Sequence, residues 1–551
     1  MPKHRKRSYR VDGMAALALL FFVCASVLLA AGQTAVTTYH YDNNRTGWNR
    51  NETVLTPANV GKTTFGLLQT VALDDQVDSQ PLVVPGVLIT AGNYQGTHDV
   101  VYVATQNNTV YAIDVHTGTV LLSPNFGPPV SQQSLPGKCY ANGPNVGITS
   151  TPVIDPSSNT FYVMVYTQGP SGKAYMLHAL DLGSLTDKVT PQTVTASHAL
   201  SDGTTFNFNA KYQRQRPALL LANGSIYAGF GSFCDKAVQY SRGWLLGWTA
   251  GSLAPFPSNQ LNDAQPTNPQ KFFLSSIWMS GYGPATDDAG NILFVTGNSD
   301  AGTYDGVTSI QESVVEVSNT LTTVLDIFTP ANQESLDAED DDFGSGGVMV
   351  LPDQPGPIPH LAVAAGKNGK MFLMNEDSLG GYSPPQNNVL GVYAAGDCWC
   401  GPSYFVDPID GLGRVVSSGG RSAIVWKVQT SPTVALTKVT TSPNTGGGPT
   451  QGPGFFTTIS SNGNANPIIW AISRPTDSAK TISLFAFNPE SGGSHMKKLF
   501  NAAAGTWPNL QGNANLVPVV ANGLVFVASN QQLQIFGLTG ADAKKTTKKK
   551  K

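Results

Sequence analysis

The chain is poor in charge. Asp, Glu, Lys and Arg make up 13% of its 551 residues, about half the usual share of a soluble domain. No long amphipathic helix can be read in it, which excludes a helical bundle or a coiled coil. Histidines are few, and His40, His98, His116, His178, His360 and His495 are scattered. That excludes a zinc centre built on clustered histidines. The absence of H-E-x-x-H, of a G-x-S-x-G elbow and of a P-loop removes zinc peptidase, α/β-hydrolase and P-loop nucleotide chemistry. The absence of C-x-x-C-H removes an attached haem domain, so any electron acceptor would be a separate protein. Only five cysteines are present, and Cys24 lies in the N-terminal apolar run.

Turn formers are abundant: Gly 57 and Pro 37, which suits many turns between short strands. One phrase recurs. Its clearest copy is VVYVATQNNTVYAIDVHTGTV (Val100 to Val120). This reads as a strand, a tight Asn107-Asn108 turn, a second strand, and a closing turn on Asp114 and Gly118. Weaker copies begin near Phe161, Ile226, Ile292, Leu361, Arg414, Ile468 and Leu524. A spacing of roughly 50–70 residues is blade-sized, and such a repeat buries its apolar faces only by stacking on its neighbours. Eight copies predict an all-β, eight-bladed propeller. The degenerate sixth copy, GRVVSSGGRSAIVWKV, leaves seven blades open.

The termini read differently. Lys3, Arg5, Lys6, Arg7 and Arg10 precede an apolar run from Met14 to Ala31, and Ala30-Ala31-Gly32 offers a small-residue cleavage site. Residues 1–32 are therefore expected to be a signal peptide, with an uncleaved anchor as the alternative. Residues 33–540 form the expected propeller. Residues 541–551 are expected to be a disordered lysine-rich tail. Cleavage removes five basic residues and Asp12, leaving 28 basic and 35 acidic residues, net −7. Without the six tail lysines and Asp542, the body carries 22 basic and 34 acidic residues, net −12. An acidic body argues against nucleic acid. The expectation is an exported monomer, periplasmic or extracellular, with no membrane span after cleavage. Four cysteines remain: Cys139, Cys234, Cys398 and Cys400. An even count in an oxidising compartment favours disulfides. A bridge between blades suits Cys139 and Cys234, and a bridge across Trp399 suits the other pair.

Most copies are preceded by an x-Pro-apolar segment, as at Gln80-Pro81-Leu82, Thr151-Pro152-Val153, Arg216-Pro217-Ala218, Gly283-Pro284-Ala285 and Val517-Pro518-Val519. Proline is tolerated at the first residue of a strand, so these segments are read as innermost strands. Gln80, Thr149, Arg216, Trp278, Ser345 and Asn515 would then ring one mouth of the channel. A guanidinium and an indole there suit a planar anionic ligand. The acidic run Asp337 to Asp342, ahead of Phe343-Gly344-Ser345-Gly346-Gly347, suits calcium, a cation that takes six to eight oxygens in flexible geometry.

The strand-turn-strand-Ala-x-Asp-x-x-Thr-Gly phrase resembles the repeat of pyrroloquinoline-quinone (PQQ) type propellers. A longer pattern supports this: TYHYDNNRTGWNRNETVLTPANV (Thr38 to Val60), GITSTPVID, GSFCD, IWMSGYGPATD, GSGG and NGLVFVASNQQLQIFGL. It resembles exported PQQ-like repeat proteins of unknown function from soil bacteria, over most of the chain. The catalytic relatives of that fold are quinoprotein alcohol dehydrogenases. In them PQQ lies over a Trp and under a ring of two adjacent cysteines, with a calcium held by Glu and Asn and an Asp as base.

By that resemblance Trp278 is the floor and Asn298 a calcium ligand; Arg216 and Gln80, at the same channel mouth, are expected as further cofactor contacts. Asp235, Asp340 and Asp342 complete the expected metal set. Other positions depart. Cys139 is followed by Tyr140 rather than a second cysteine, Asp235 is one residue out of place, and Ser318 stands where the base is expected, with Glu316 two residues away. A serine takes no proton at neutral pH without its own base. The first reading is therefore a secreted propeller with a degenerate cofactor site, binding a small molecule, carbohydrate or surface protein. The alternatives are a PQQ- and calcium-dependent oxidoreductase acting on an alcohol or sugar, and an envelope assembly factor.

Overall fold

The structure is a computed structural model. It describes residues 33–445, 454–473, 478–490, 494–508 and 516–540, with the isolated residues Met1 and Pro475. The expected signal peptide, the lysine-rich tail and Asn515 lie outside the described residues. No described helix is long and apolar enough to cross a membrane.

Eight sheets, antiparallel except where Trp48–Asn49 joins one of them in parallel, form eight blades. Blade 1 is Leu82–Ile89, Gly96–Ala104, Val110–Asp114 and Val120–Leu122. The eight sequence copies are the second strands of successive blades. After blade 1 these are Thr160–Gly169, Ser225–Ser232, Ile292–Val295, Leu361–Ala365, Gly413–Ser417, Ala465–Ser473 and Leu524–Leu538. The degenerate sixth copy belongs to a complete four-stranded blade, from Ser403–Val406 to Ala435–Thr441, which excludes seven. Blade 8 closes the ring: Phe65–Gln76, from the N-terminal side, pairs with Leu524–Leu538. The x-Pro-apolar segments lead into innermost strands, as expected, among them Val153–Asp155, Leu220–Ala222, Ala285–Thr286 and Val519–Ala521. Between blades lie apolar layers. One joins Tyr102 and Phe161 of blades 1 and 2, with ring centroids 5.4 Å apart.

Innermost strands of a propeller leave one edge without a sheet neighbour, so their peptide groups need other partners. The segment Val36 to Asn49 supplies them in blade order. Val36 exchanges two hydrogen bonds with Val83, and Ile154 N donates to Thr37 O. Asn43 Nδ2 donates to Leu221 O. Thr286 N donates to Asn43 O, Val350 N to Asn44 O, Tyr404 N to Thr46 O, and Ile459 N to Gly47 O. Asn49 Nδ2 closes the circuit on Val520 O at 2.9 Å. One strap of chain thus touches all eight blades.

Arg45 is the centre of that strap and is fully buried. Its guanidinium donates to Pro284 O at 2.8 Å, Thr38 Oγ1 at 2.8 Å, Tyr39 O at 2.9 Å and Leu219 O at 3.3 Å. Burial lowers its pKa to about 10, against the pull of Tyr282, Asp42 and Tyr39, so it stays charged at neutral pH. Replacing it with Met would strand several buried carbonyls, at a cost of about 3 kcal/mol or more. Arg45→Met is expected to lower the apparent Tm by several degrees in scanning calorimetry. An unchanged Tm would show that the strap is not structural.

Candidate functional site

The strands that begin at one mouth of the channel deliver side chains into a cavity of about 280 Å³. Its base is aromatic. Trp278 precedes the tight turn Met279–Gly281, and Trp399 meets it edge-on, with ring centroids 5.2 Å apart at 74°. The turn rests on the strap: Tyr282 Oη donates to Arg45 O at 2.7 Å. Gly297, in Thr296-Gly297-Asn298, lies against this floor. A Cβ there would stand 2.4 Å from Asp342 Oδ1 and 3.0 Å from Trp278 Nε1, so any side chain would displace one of them.

Three cations line the cavity, two of them against the indoles. Arg216 Cζ lies 5.5 Å from the Trp278 ring centroid. Lys367 Nζ lies 5.5 Å from Trp278 and 5.0 Å from Trp399. Arg214 stands two residues before Arg216, on Gln213–Gln215, and side chains two apart on a strand share a face. Burial lowers the Arg214 pKa, opposed by Asp78 and Tyr175. Its Nε is buried with no hydrogen-bond partner among the described residues.

Asp235, Asp340 and Asp342 line the same cavity. Lys367 Nζ bonds Asp342 Oδ2, Asp340 O at 2.8 Å and Asp340 Oδ1 at 3.2 Å. Burial works against the ammonium charge, but Asp342 and Asp340 outweigh it and raise the Lys367 pKa to about 12. Asn298 holds the same pair, its backbone N on Asp342 Oδ1 at 2.9 Å and its Nδ2 on Asp340 Oδ1 at 3.2 Å. Asp235 Oδ1 accepts from Ser232 Oγ at 2.6 Å. Among the described residues no three carboxylate, histidine or cysteine side chains converge to hold a metal ion. The cation between Asp340 and Asp342 is Lys367.

Both disulfides are present, and both are at this mouth. Cys139–Cys234, with Cα atoms 5.5 Å apart, ties the loop before blade 2 to a loop of blade 3, with Cys234 and Tyr140 on the cavity wall. Cys398–Cys400 bounds the loop that carries Trp399. The missing vicinal cysteine is thus answered by a partner 95 residues away.

Of the residues expected at this site, Trp278, Arg216, Asp235, Asp340 and Asp342 line the cavity, and Asn298 supports it from behind. Gln80 does not reach it. It is 1% exposed, and both ends of its amide serve the strap: Oε1 accepts from His40 N at 3.0 Å and Nε2 donates to Thr38 O at 3.1 Å. Thr149 bonds Gln106, and Ser345 Oγ donates to Cys398 O, both as polar plugs. Ser318 is also elsewhere. Val295 pairs with Val314 near the mouth and Ile292 with Val317 at the far end, so Ser318 is in an outer turn, where its Oγ accepts from Thr322 N and Thr323 N. Glu316 is at that far end too, bonded by Asn291 Nδ2. The argument from a serine at the base position therefore falls.

The wall residues that were not anticipated include Arg214, Lys367, Trp399 and Tyr140. Lys367 follows Gly366 in the turn after a second strand, as Asn298 follows Gly297. Aligning those turns between copies was the available signal.

Asp78, behind the two arginines, is 3% exposed and accepts from Gln106 Nε2 and Asn142 Nδ2. Burial raises its pKa from the ordinary 3.8 to about 6, although Asn142, Arg214 and Arg216 pull it down. Asp263 is raised likewise to about 6, and Asp337 to about 7, chiefly by burial. Folded carboxyls that hold protons to higher pH than unfolded ones make stability fall as pH rises from about 4 to about 7. The apparent Tm is expected to be higher near pH 5 than near pH 8. Asp78→Asn should flatten that fall by roughly 2 kcal/mol. A Tm that rises over this range would contradict the assignment.

No family model and no curated protein matches the sequence. Solved structures do match in shape. The quinohemoprotein alcohol dehydrogenase of Comamonas testosteroni is 13% identical, with a TM-score of 0.57, covering 93% of this chain and 81% of that one. The quinohemoprotein alcohol dehydrogenase ADHIIG of Pseudomonas putida HK5 is 14% identical, with the same TM-score and coverage. A europium-containing methanol dehydrogenase is 9% identical, with a TM-score of 0.53, covering 92% of this chain and 98% of that one. At such identities the likeness is one of fold: an eight-bladed propeller of the quinoprotein dehydrogenase type.

Proposed function

We propose that this is an exported PQQ-type propeller whose channel-mouth cavity binds a planar aromatic molecule bearing several carboxylates, of the PQQ class, and that it serves as a binding module. The carrying observation is Arg214: a guanidinium on the cavity wall whose buried Nε has no acceptor among the described residues. It stands beside Arg216, whose guanidinium lies over the Trp278 ring. Carboxylates meet guanidinium groups in charge-assisted, often bidentate, hydrogen bonds. An aromatic ring system gains area on an indole face. A neutral ligand would offer no negative charge to the cavity side of Arg214 and Arg216.

The donor set fits the quinone better than it fits a metal. Trp278 would lie under the ring system, with Arg214, Arg216 and Lys367 toward its carboxylates and the Cys139–Cys234 bridge at the rim. Lys367 supplies the positive charge between Asp340 and Asp342 that a calcium ion would otherwise bring. The four bridged cysteines support an oxidising compartment, in line with export.

A second reading, an oxidoreductase acting on an alcohol or sugar, is favoured by one observation. The carboxylates at this cavity include Asp340, whose side chain is 66% exposed and could accept a proton there. A bound quinone would supply two-electron acceptance.

The test is a PQQ titration of residues 33–551, read by Trp fluorescence and quinone absorbance, with calcium and with EDTA. Saturable binding under both conditions is expected, weakened at least about tenfold in Arg214→Ala and in Trp278→Ala. Absence of binding removes the cofactor reading. Binding only with calcium removes the role given to Lys367. Dye-linked turnover of an alcohol or sugar, lost in Asp340→Asn, would select the second reading.

A further inference from the structure

A second cavity, of about 370 Å³, lies beside the third strand of blade 3 and shares no residue with the channel mouth. It is formed by three pieces of chain. One wall is the strand Trp244–Thr249. The others are the loop from Pro255 to Asn259 and an inserted hairpin, Ser197–Ala199 with Thr205–Asn207. Asn259 rivets loop to hairpin: its Nδ2 donates to Ser197 O at 3.1 Å, and its Oδ1 meets His198 Nδ1 at 2.9 Å. The walls are therefore built before any ligand arrives.

The lining carries no ionisable side chain, in a chain whose body is strongly acidic. It divides into two kinds of surface. Leu246, Trp248, Pro255, Phe256 and Pro257 are apolar. Thr195, Ser197, Asn207 and Ser258 offer hydroxyl and amide groups that bond to no other described residue. Trp248 adds an independent sign. It is 1% exposed, and its indole Nε1 is buried without an acceptor among the described residues. A buried donor left unpaired costs about 1–3 kcal/mol, a cost that the Trp248 wall of this cavity carries in the ligand-free protein.

We propose that this cavity binds a neutral saccharide unit. A pyranose ring presents C–H faces for the apolar wall and hydroxyls that both give and take hydrogen bonds, matching amide and hydroxyl side chains. The absence of a cation disfavours acidic sugars, phosphates and carboxylates. The absence of a carboxylate disfavours amines. The site is independent of the cofactor reading and stands if that reading fails.

The test uses residues 33–551 and four neutral disaccharides: cellobiose, maltose, mannobiose and di-N-acetylchitobiose. Saturation-transfer NMR and Trp fluorescence would follow binding. At least one disaccharide is expected to bind saturably. Asn207→Ala should weaken that binding about tenfold, and Ser258→Trp should abolish it by filling the cavity. Both positions are on the accessible wall, so these variants decide the matter even if Trp248→Phe, which removes the buried N–H, fails to fold. Excess PQQ should leave the binding unchanged. Failure of all four sugars, wild-type binding in both wall variants, or displacement by PQQ would each overturn the proposal.

Discussion

The strap from Val36 to Asn49 is the constraint on which the rest of the molecule depends. A ring of eight short inner strands is a ring of unpaired backbone groups facing the channel, and buried peptide groups left unpaired are costly. The strap reaches each blade in turn and pairs with it. At its centre Arg45 gives its N–H groups to carbonyls of blades 3 and 4 and of the strap itself. A lysine has fewer donors and no planar fork, and would satisfy fewer of them. Because the strap comes from the N-terminal side, and Phe65–Gln76 then joins the last blade, the chain closes its ring and plugs it with the same segment.

The channel-mouth cavity depends on that plug. Trp278 is held above Tyr282, which bonds Arg45 O, and Gln80 is turned inward to hold the strap. What remains at the mouth is a concentration of charge of both signs on an aromatic base. Lys367 is shared by two carboxylates, whereas Arg214 Nε has no hydrogen-bond partner among the described residues. The proposed preference for an anion rests on that difference, in a body that is acidic overall. Each disulfide ties down a loop of the same rim.

Much of the fold was legible. A strand of period two, a tight polar turn and an Asp-x-x-Thr-Gly closure are local signals, so all eight copies landed on second strands and the x-Pro-apolar segments on inner ones. Trp278 and Arg216 reached the cavity for the same reason, since inner-strand starts could be located. The failures have physical causes as well. Gln80 stood at the right strand start, but its amide was taken by a segment more than thirty residues away. Ser318 stood in the right blade, but the antiparallel pairing carried it to the far end. Arg214 and Lys367 had weak local marks, one beside Arg216 and the other in a turn like that of Asn298, but the meeting of Trp399 with Trp278 joins two loops more than a hundred residues apart and has none.

By itself the sequence determined the all-β repeat architecture, the cysteines available for bridging and the acidic character of the body, because each follows from residues within one repeat or from composition, whereas the complete sixth blade was needed to fix eight blades rather than seven. Only the tertiary structure decided which segment fills the channel, that Cys139 finds Cys234, and that Lys367 sits between Asp340 and Asp342. These are contacts across tens to hundreds of residues. They are set by the order in which blades close into a ring, and no short-range periodicity records that order.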